Sequence, residues 1–137
     1  MHMPYNVVEI EGIGETYAAK LGQVGVKTTD DLLEMGGTKK QREELAASSG
    51  LPESLILTWV NHADLFRIKG IAGQFSELLE AAGVDSVVEL STRNAANLHQ
   101  KLIQTNEQFG LSGRVPSEEE LSDMIEFAKG LERKVFH

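Results

Sequence analysis

Apolar residues recur at helical spacing along most of the chain, punctuated by glycines and by Ser/Thr-x-x-acid signals. From Glu15 to Val24, Tyr17, Ala18, Leu21 and Val24 fall at i, i+1, i+4 and i+7, one face of a helix. Gly25 suits a left-handed C-cap, with Val26 making the accompanying apolar contact. Thr28-x-x-Asp31 opens the next helix as a capping box with Asp in place of the longer Glu, and Ser86-x-x-Glu89 predicts the full form. Thr38-x-x-Gln41 opens a helix to about Ser48, which Gly50 stops. Pro52 fits the first turn of a helix through about Arg67, with Leu55, Trp59, Ala63 and Phe66 on one side. Asn94 begins a helix through about Asn106, with Leu98, Leu102 and Ile103 inward. Gly110–Gly113 reads as a loop, and Ser117-x-x-Glu120 caps a last helix carrying Leu121, Met124, Ile125, Ala128 and Leu131. Only Tyr5–Ile10 suggests a strand. The expected fold is all-α, with about eight short helices.

The pattern also repeats. Ile10-Glu11-Gly12-Ile13-Gly14 aligns with Ile68-Lys69-Gly70-Ile71-Ala72 at an offset of 58. The register holds without a gap through Tyr17/Phe75, Leu21/Leu79, Gly25/Gly83, Val26/Val84, Thr28/Ser86 and Leu32/Leu90, with seven identities in 23 positions. Chance likeness between helices matches apolar positions, but rarely aligns two glycines thirteen residues apart. Gly12 and Gly14, flanking Ile13, suit a tight turn needing positive φ or close backbone approach. In the second copy Ala72 replaces one glycine and Gly73 follows it. The expectation is one compact domain over residues 1–137, with an internal pseudo-twofold repeat of about 8–66 and 67–132.

Charge changes the functional picture more than composition does. The chain has 137 residues, 41% hydrophobic and 25% charged, within the ordinary range of globular proteins. It has no cysteine, which excludes disulfides, thiolate zinc sites and cysteine nucleophiles. No apolar run approaches the roughly 18 residues of a membrane span, so no membrane partner is expected. The N-terminus lacks signal-peptide regions, and a cytoplasmic location is the expectation. Met1-His2-Met3 is compatible with an expression remnant, and His2 carries no weight. Net charge is −8, spread along both halves. Nucleic-acid binders neutralise phosphates and usually show a basic stripe. Such a role here needs a local patch acting against an unfavourable global field.

Both glycine segments resemble the helix-hairpin-helix pattern: apolar, x, Gly, apolar, Gly, a helix carrying Ala and Leu, then Gly-apolar-x-Thr/Ser. The chain from about residue 8 to 132, including Trp59-Val60-Asn61-His62-Ala63-Asp64-Leu65-Phe66-Arg67-Ile68-Lys69-Gly70, resembles the uncharacterised bacterial family DUF4332. That resemblance implies tandem helix-hairpin-helix units of the SAM-like class, and brings no assigned activity. The Gly-Val-x-Thr-x-x-Asp-Leu-Leu continuation is also similar to the C-terminal domain of the RNA polymerase α subunit, a pointer to DNA by analogy.

In proteins with this hairpin, backbone N–H groups at the start of its second helix meet a DNA phosphate, using unpaired donors and the positive end of the macrodipole. The corresponding nucleic-acid candidates here are Gly12, Ile13 and Gly14, and Arg67, Lys69, Gly70, Ile71 and Gly73. The first hairpin is flanked by Glu9, Glu11 and Glu15, while the second has the basic approach. The structural alternative is that both turns only reverse the chain between packed helices. Lys39, Lys40 and Arg42 form a further basic group near a helix start. Asp64 can pair with Arg67 one turn on, fixing the approach to the second hairpin, and His62 beside the Trp59/Phe66 stripe reads as a hydrogen-bonded core residue. Catalysis is not expected, because no nucleophile is paired with His62 or His99 by motif and no P-loop or dinucleotide fingerprint occurs. No cofactor or metal is expected; a monovalent cation held by hairpin carbonyls leaves no trace in sequence. The expected function is a non-catalytic, sequence-independent module for the DNA or RNA backbone; the alternative is a protein-interaction or scaffolding module of the same fold that has lost its phosphate contacts. Oligomeric state is not legible.

Overall fold

The capping signals and the helices coincide closely. The computed structural model describes residues 4–137, so Met1–Met3 lie outside the described residues. Its helices are α1 (Glu15–Gln23), α2 (Thr29–Gly36), α3 (Lys39–Ser49), α4 (Glu53–Leu65), α5 (Gly73–Ala81), α6 (Val87–Ser91), α7 (Ala95–Phe109) and α8 (Glu118–Lys129). No strand occurs among the described residues. Tyr5–Ile10 instead makes one isolated antiparallel bridge, Asn6 to Thr28, and then a 3-10 turn over Val7–Glu9. The turn closes because Glu9 Oε2 accepts the Asn6 N–H at 2.9 Å, while Thr28 on the facing segment already caps α2.

Local geometry recurs at the offset read from sequence. Helices α1 and α5 have the same bounds shifted by 58 residues. Gly12 and Gly70 adopt φ of +90° and +93°, and Gly25 and Gly83 adopt +91° and +95°. After each helix, the N–H of Val26 or Val84 donates back to Leu21 or Leu79, at 2.9 and 2.8 Å, the long bond of a Schellman-type cap. The shared apolar positions are all buried: Ile10, Ile13, Leu21, Val26 and Leu32, with Ile68, Ile71, Leu79, Val84 and Leu90. Every identity in the alignment is therefore a core contact or a left-handed glycine.

Two expectations about the turns and caps are corrected. Gly14 does not need to be glycine: it is the N-cap of α1 with φ −84° and ψ −178°, extended backbone open to any residue. Ala72, its counterpart, is extended too, so alanine replaces glycine there without backbone strain. The complete capping box belongs to the first copy, where Asp31 Oδ2 accepts the Thr28 N–H at 3.0 Å and Thr28 Oγ1 accepts the Asp31 N–H at 3.2 Å. In the second copy Ser86 caps Glu89, but the Glu89 carboxylate is held by Arg93 one turn on, at 2.8 Å.

The core lies in two apolar clusters. One runs from Val7 to Phe66 and takes in Val135; the other runs from Leu65 to Ala128. A polar seam at the end of α4 ties them together. His62 Nδ1 lies 2.8 Å from Ser76 Oγ and His62 Nε2 lies 3.0 Å from Glu80 Oε2. Asp64 Oδ2 accepts the N–H of Val87, the first residue of α6, at 2.8 Å. The C-terminal segment returns to the first half, where the Phe136 N–H donates to the Gly37 carbonyl at 2.8 Å.

Candidate functional site

Hairpin one is a surface turn. Ile13 is buried in the first cluster, while Gly12, Gly14, Glu15 and Thr16 are exposed. The N–H groups of Gly14, Glu15 and Thr16 make no hydrogen bond among the described residues, and no side chain caps α1. These are the donors a phosphate would use. Around them stand the exposed carboxylates of Glu9, Glu11 and Glu15, with Glu15 in the first turn, where it complements the macrodipole itself.

Hairpin two is more enclosed. Ile71 is buried in the second cluster, and Gly70 faces α8, where Met124 Cε lies 3.2 Å from the point a side chain on Gly70 would occupy. Gly73 begins α5 with φ +46°, and Glu11 Oε1 of the first hairpin lies 3.7 Å from the corresponding point on Gly73. The two hairpins are thus neighbours, and an acid of one stands at the helix start of the other.

The cations are placed differently from the sequence expectation. Arg67 is turned inward, with its side chain 12% exposed; Nη1 donates to Asp64 Oδ1 at 2.6 Å and Nη2 to the Glu132 carbonyl at 2.5 Å. Its pairing with Asp64 agrees with the spacing, but it is not at the surface of the hairpin. Lys69 is exposed and shares a groove with Glu120 and Asp123 of α8. Arg42 does not join Lys39 and Lys40 in a surface patch. It is buried, donates to the carbonyls of Gly36, Gly37 and Phe136 at 2.9, 3.1 and 2.9 Å, and is pulled below the usual guanidinium range by desolvation.

Two features escaped the sequence. The first is a Ser76–His62–Glu80 line, whose members are brought together from α4 and α5. Ser76 is fully buried and its hydroxyl donates to the Gly73 carbonyl at 2.8 Å, so the line braces the second hairpin and offers no exposed nucleophile. The second is a groove of about 550 Å³ between α2 and α8, lined by Leu33, Phe127 and Leu131 and flanked by Asp30, Glu34, Arg67 and Lys134. A smaller one of about 380 Å³ lies over Ile68, Gly70 and Met124, and Phe127 lines both. Phe127 is 51% exposed. The i, i+3, i+7 run Met124, Phe127, Leu131 was the available signal, hidden beside the core stripe Leu121, Ile125, Ala128.

Carboxylates at two helix starts are shifted toward the charged form. Glu120 is drawn down from 4.5 to about 2 by its bond with Arg114, helped by the Ser117 N–H. Asp31 is lowered chiefly by the Lys27 N–H; burial, the next-largest effect, opposes it, and the Thr28 N–H and hydroxyl add to the lowering. Among the described residues, no group of three or more His, Asp or Glu is placed to hold a metal ion, and no helix is long and apolar enough to cross a membrane. Residues 11–131 match a family described as a domain of unknown function, DUF4332. No curated protein and no solved structure matches.

Proposed function

The chain belongs to the DUF4332 family, and on that footing we propose that it is a non-catalytic protein-interaction module built on two helix-hairpin-helix units that have lost phosphate binding. The observation that carries this reading is the position of Arg67. Its guanidinium is bonded to Asp64 and to the Glu132 carbonyl, so the strongest cation beside the second hairpin already serves the fold. The surrounding field supports the same reading. Glu11 stands at the start of α5, Glu120 and Asp123 lie beside Lys69, and Glu9, Glu11 and Glu15 surround hairpin one. An incoming phosphate would meet a negative local potential as well as a net charge of −8.

The equivalent glycine geometry at 12/70 and 25/83 supports the helix-hairpin-helix assignment. A cytoplasmic location, expected from the sequence, goes with this reading. One observation favours the nucleic-acid alternative: the exposed, unbonded N–H groups of Gly14–Thr16. A titration with short duplex DNA at about 50 and about 200 mM salt separates the two. The proposal expects no binding in the range of about 10⁻⁴ to 10⁻⁶ M seen for non-specific binders. Salt-steep binding that Lys69→Glu weakens would overturn it.

A further inference from the structure

Helix α8 and the turn that follows it carry two sets of apolar residues, and only one of them is fully buried. Leu121, Ile125 and Ala128 are buried in the second cluster, whereas Met124 and Leu131 are half-buried and Phe127 stands out from the surface. Across from Phe127 and Leu131, Leu33 of α2 supplies the other apolar wall of the groove. An apolar trough between two helices is the geometry into which an amphipathic helix lays its apolar face, its own anchors spaced i, i+3, i+4 and i+7.

Charge selects among occupants. Helix α2 carries Asp30, Asp31 and Glu34 and no cation, and α8 carries five carboxylates against Lys129. Of the cations at the rim, Arg67 is bonded to Asp64, and Lys134 lies 3.6 Å from Glu132. A second copy of this chain would bring the same acidic helices to the same place, and a nucleic acid or an anionic membrane would meet like charge.

We infer that the Leu33/Phe127/Leu131 groove is the docking site for a basic amphipathic helix of a partner protein. This deepens the protein-interaction reading and rests on it. Apolar residues of the partner fill the trough around Phe127, and flanking Lys or Arg residues face Glu34 and Asp123.

The test uses the full chain and two labelled model helices of equal length and apolar face, one Leu/Lys and one Leu/Glu, followed by fluorescence anisotropy. The Leu/Lys helix is expected to bind and the Leu/Glu helix to bind at least about tenfold more weakly. Phe127→Ala, at a half-exposed position where folding should be unaffected, is expected to weaken the Leu/Lys complex by about tenfold or more. Val8→Ala, at an exposed apolar residue of the first half, is expected to leave it unchanged. No binding of the Leu/Lys helix, or binding indifferent to Phe127→Ala, overturns the groove assignment. So does a dimer in light scattering that Phe127→Ala dissolves, since the occupant is then a second copy. A parallel arm with duplex DNA keeps the two claims apart: a silent DNA arm with a failed helix arm removes the groove alone, whereas salt-steep DNA binding removes the interaction reading beneath it.

Discussion

Arg67 Nη1 lies 2.6 Å from Asp64 Oδ1, and the other Asp64 oxygen accepts the N–H of Val87 at 2.8 Å. One buried carboxylate thus holds the guanidinium beside the second hairpin and caps the start of α6. The pair is a fastening between α4 and the second half, and the same contact withdraws Arg67 from the surface.

Breaking that fastening from one side should be costly, because the remaining charge stays largely desolvated. Asp64→Ala is expected to lower stability by about 3 kcal/mol or more, by analogy with other buried pairs that lose one partner. Urea denaturation of wild type and variant measures it. A loss within about 0.5 kcal/mol, the range of ordinary surface substitutions, would contradict the role given to the pair.

The glycines of hairpin one should respond differently. Gly12 has φ +90°, so Gly12→Ala is expected to destabilise by about 1 kcal/mol or more. Gly14 is an extended N-cap with open space around it, so Gly14→Ser, which adds a capping hydroxyl, should be neutral or stabilising by up to about 1 kcal/mol. Thermal melts of the two variants check the contrast. Equal destabilisation would contradict the assigned turn geometry.

Acid should loosen the start of α8. Because the folded state lowers the Glu120 carboxyl from 4.5 to about 2, its contribution is fully present above pH 4.5 and is lost as pH falls toward about 2. Asp31 at the start of α2 acts in the same direction, its stabilisation also fading as pH falls below its ordinary range. Melting midpoints across this interval should fall, and Glu120→Gln should flatten part of the slope. An unchanged slope in that variant would argue against the Arg114–Glu120–Ser117 cap.

If acids rather than geometry keep phosphate off the hairpins, reversing them should create binding. Glu11→Lys combined with Glu15→Lys is expected to acquire salt-sensitive affinity for duplex DNA, through about two added phosphate contacts. Gel shift or anisotropy at low salt reads the gain. A folded double variant that stays inert would mean that the turns themselves are not phosphate-competent.

The features legible in sequence are those determined within a few residues. A left-handed glycine, a Thr or Ser beside an unpaired N–H, and an apolar face at helical spacing each reflect local physics, and the 58-residue register doubled every such signal. The strand suggested at Tyr5–Ile10 failed because the facing Thr28 starts a helix. Placement of the cations was not legible. Arg67 on Glu132 and Arg42 on Phe136 span 65 and 94 residues, and nothing near either arginine announces the carbonyl that receives it. Phe127 was hidden for a related reason: which of the adjacent apolar sets on α8 meets the core depends on where α6 and α7 lie.

Whether the hairpin N–H groups hold a nucleic-acid backbone can be read at those groups themselves. Amide resonances of Gly14, Glu15 and Thr16 in hairpin one, and of Ala72, Gly73 and Gln74 in hairpin two, can be followed while short duplex DNA is added at about 50 mM salt. These resonances are expected not to move. Saturable shifts at these six amides, abolished at about 200 mM salt, would contradict it.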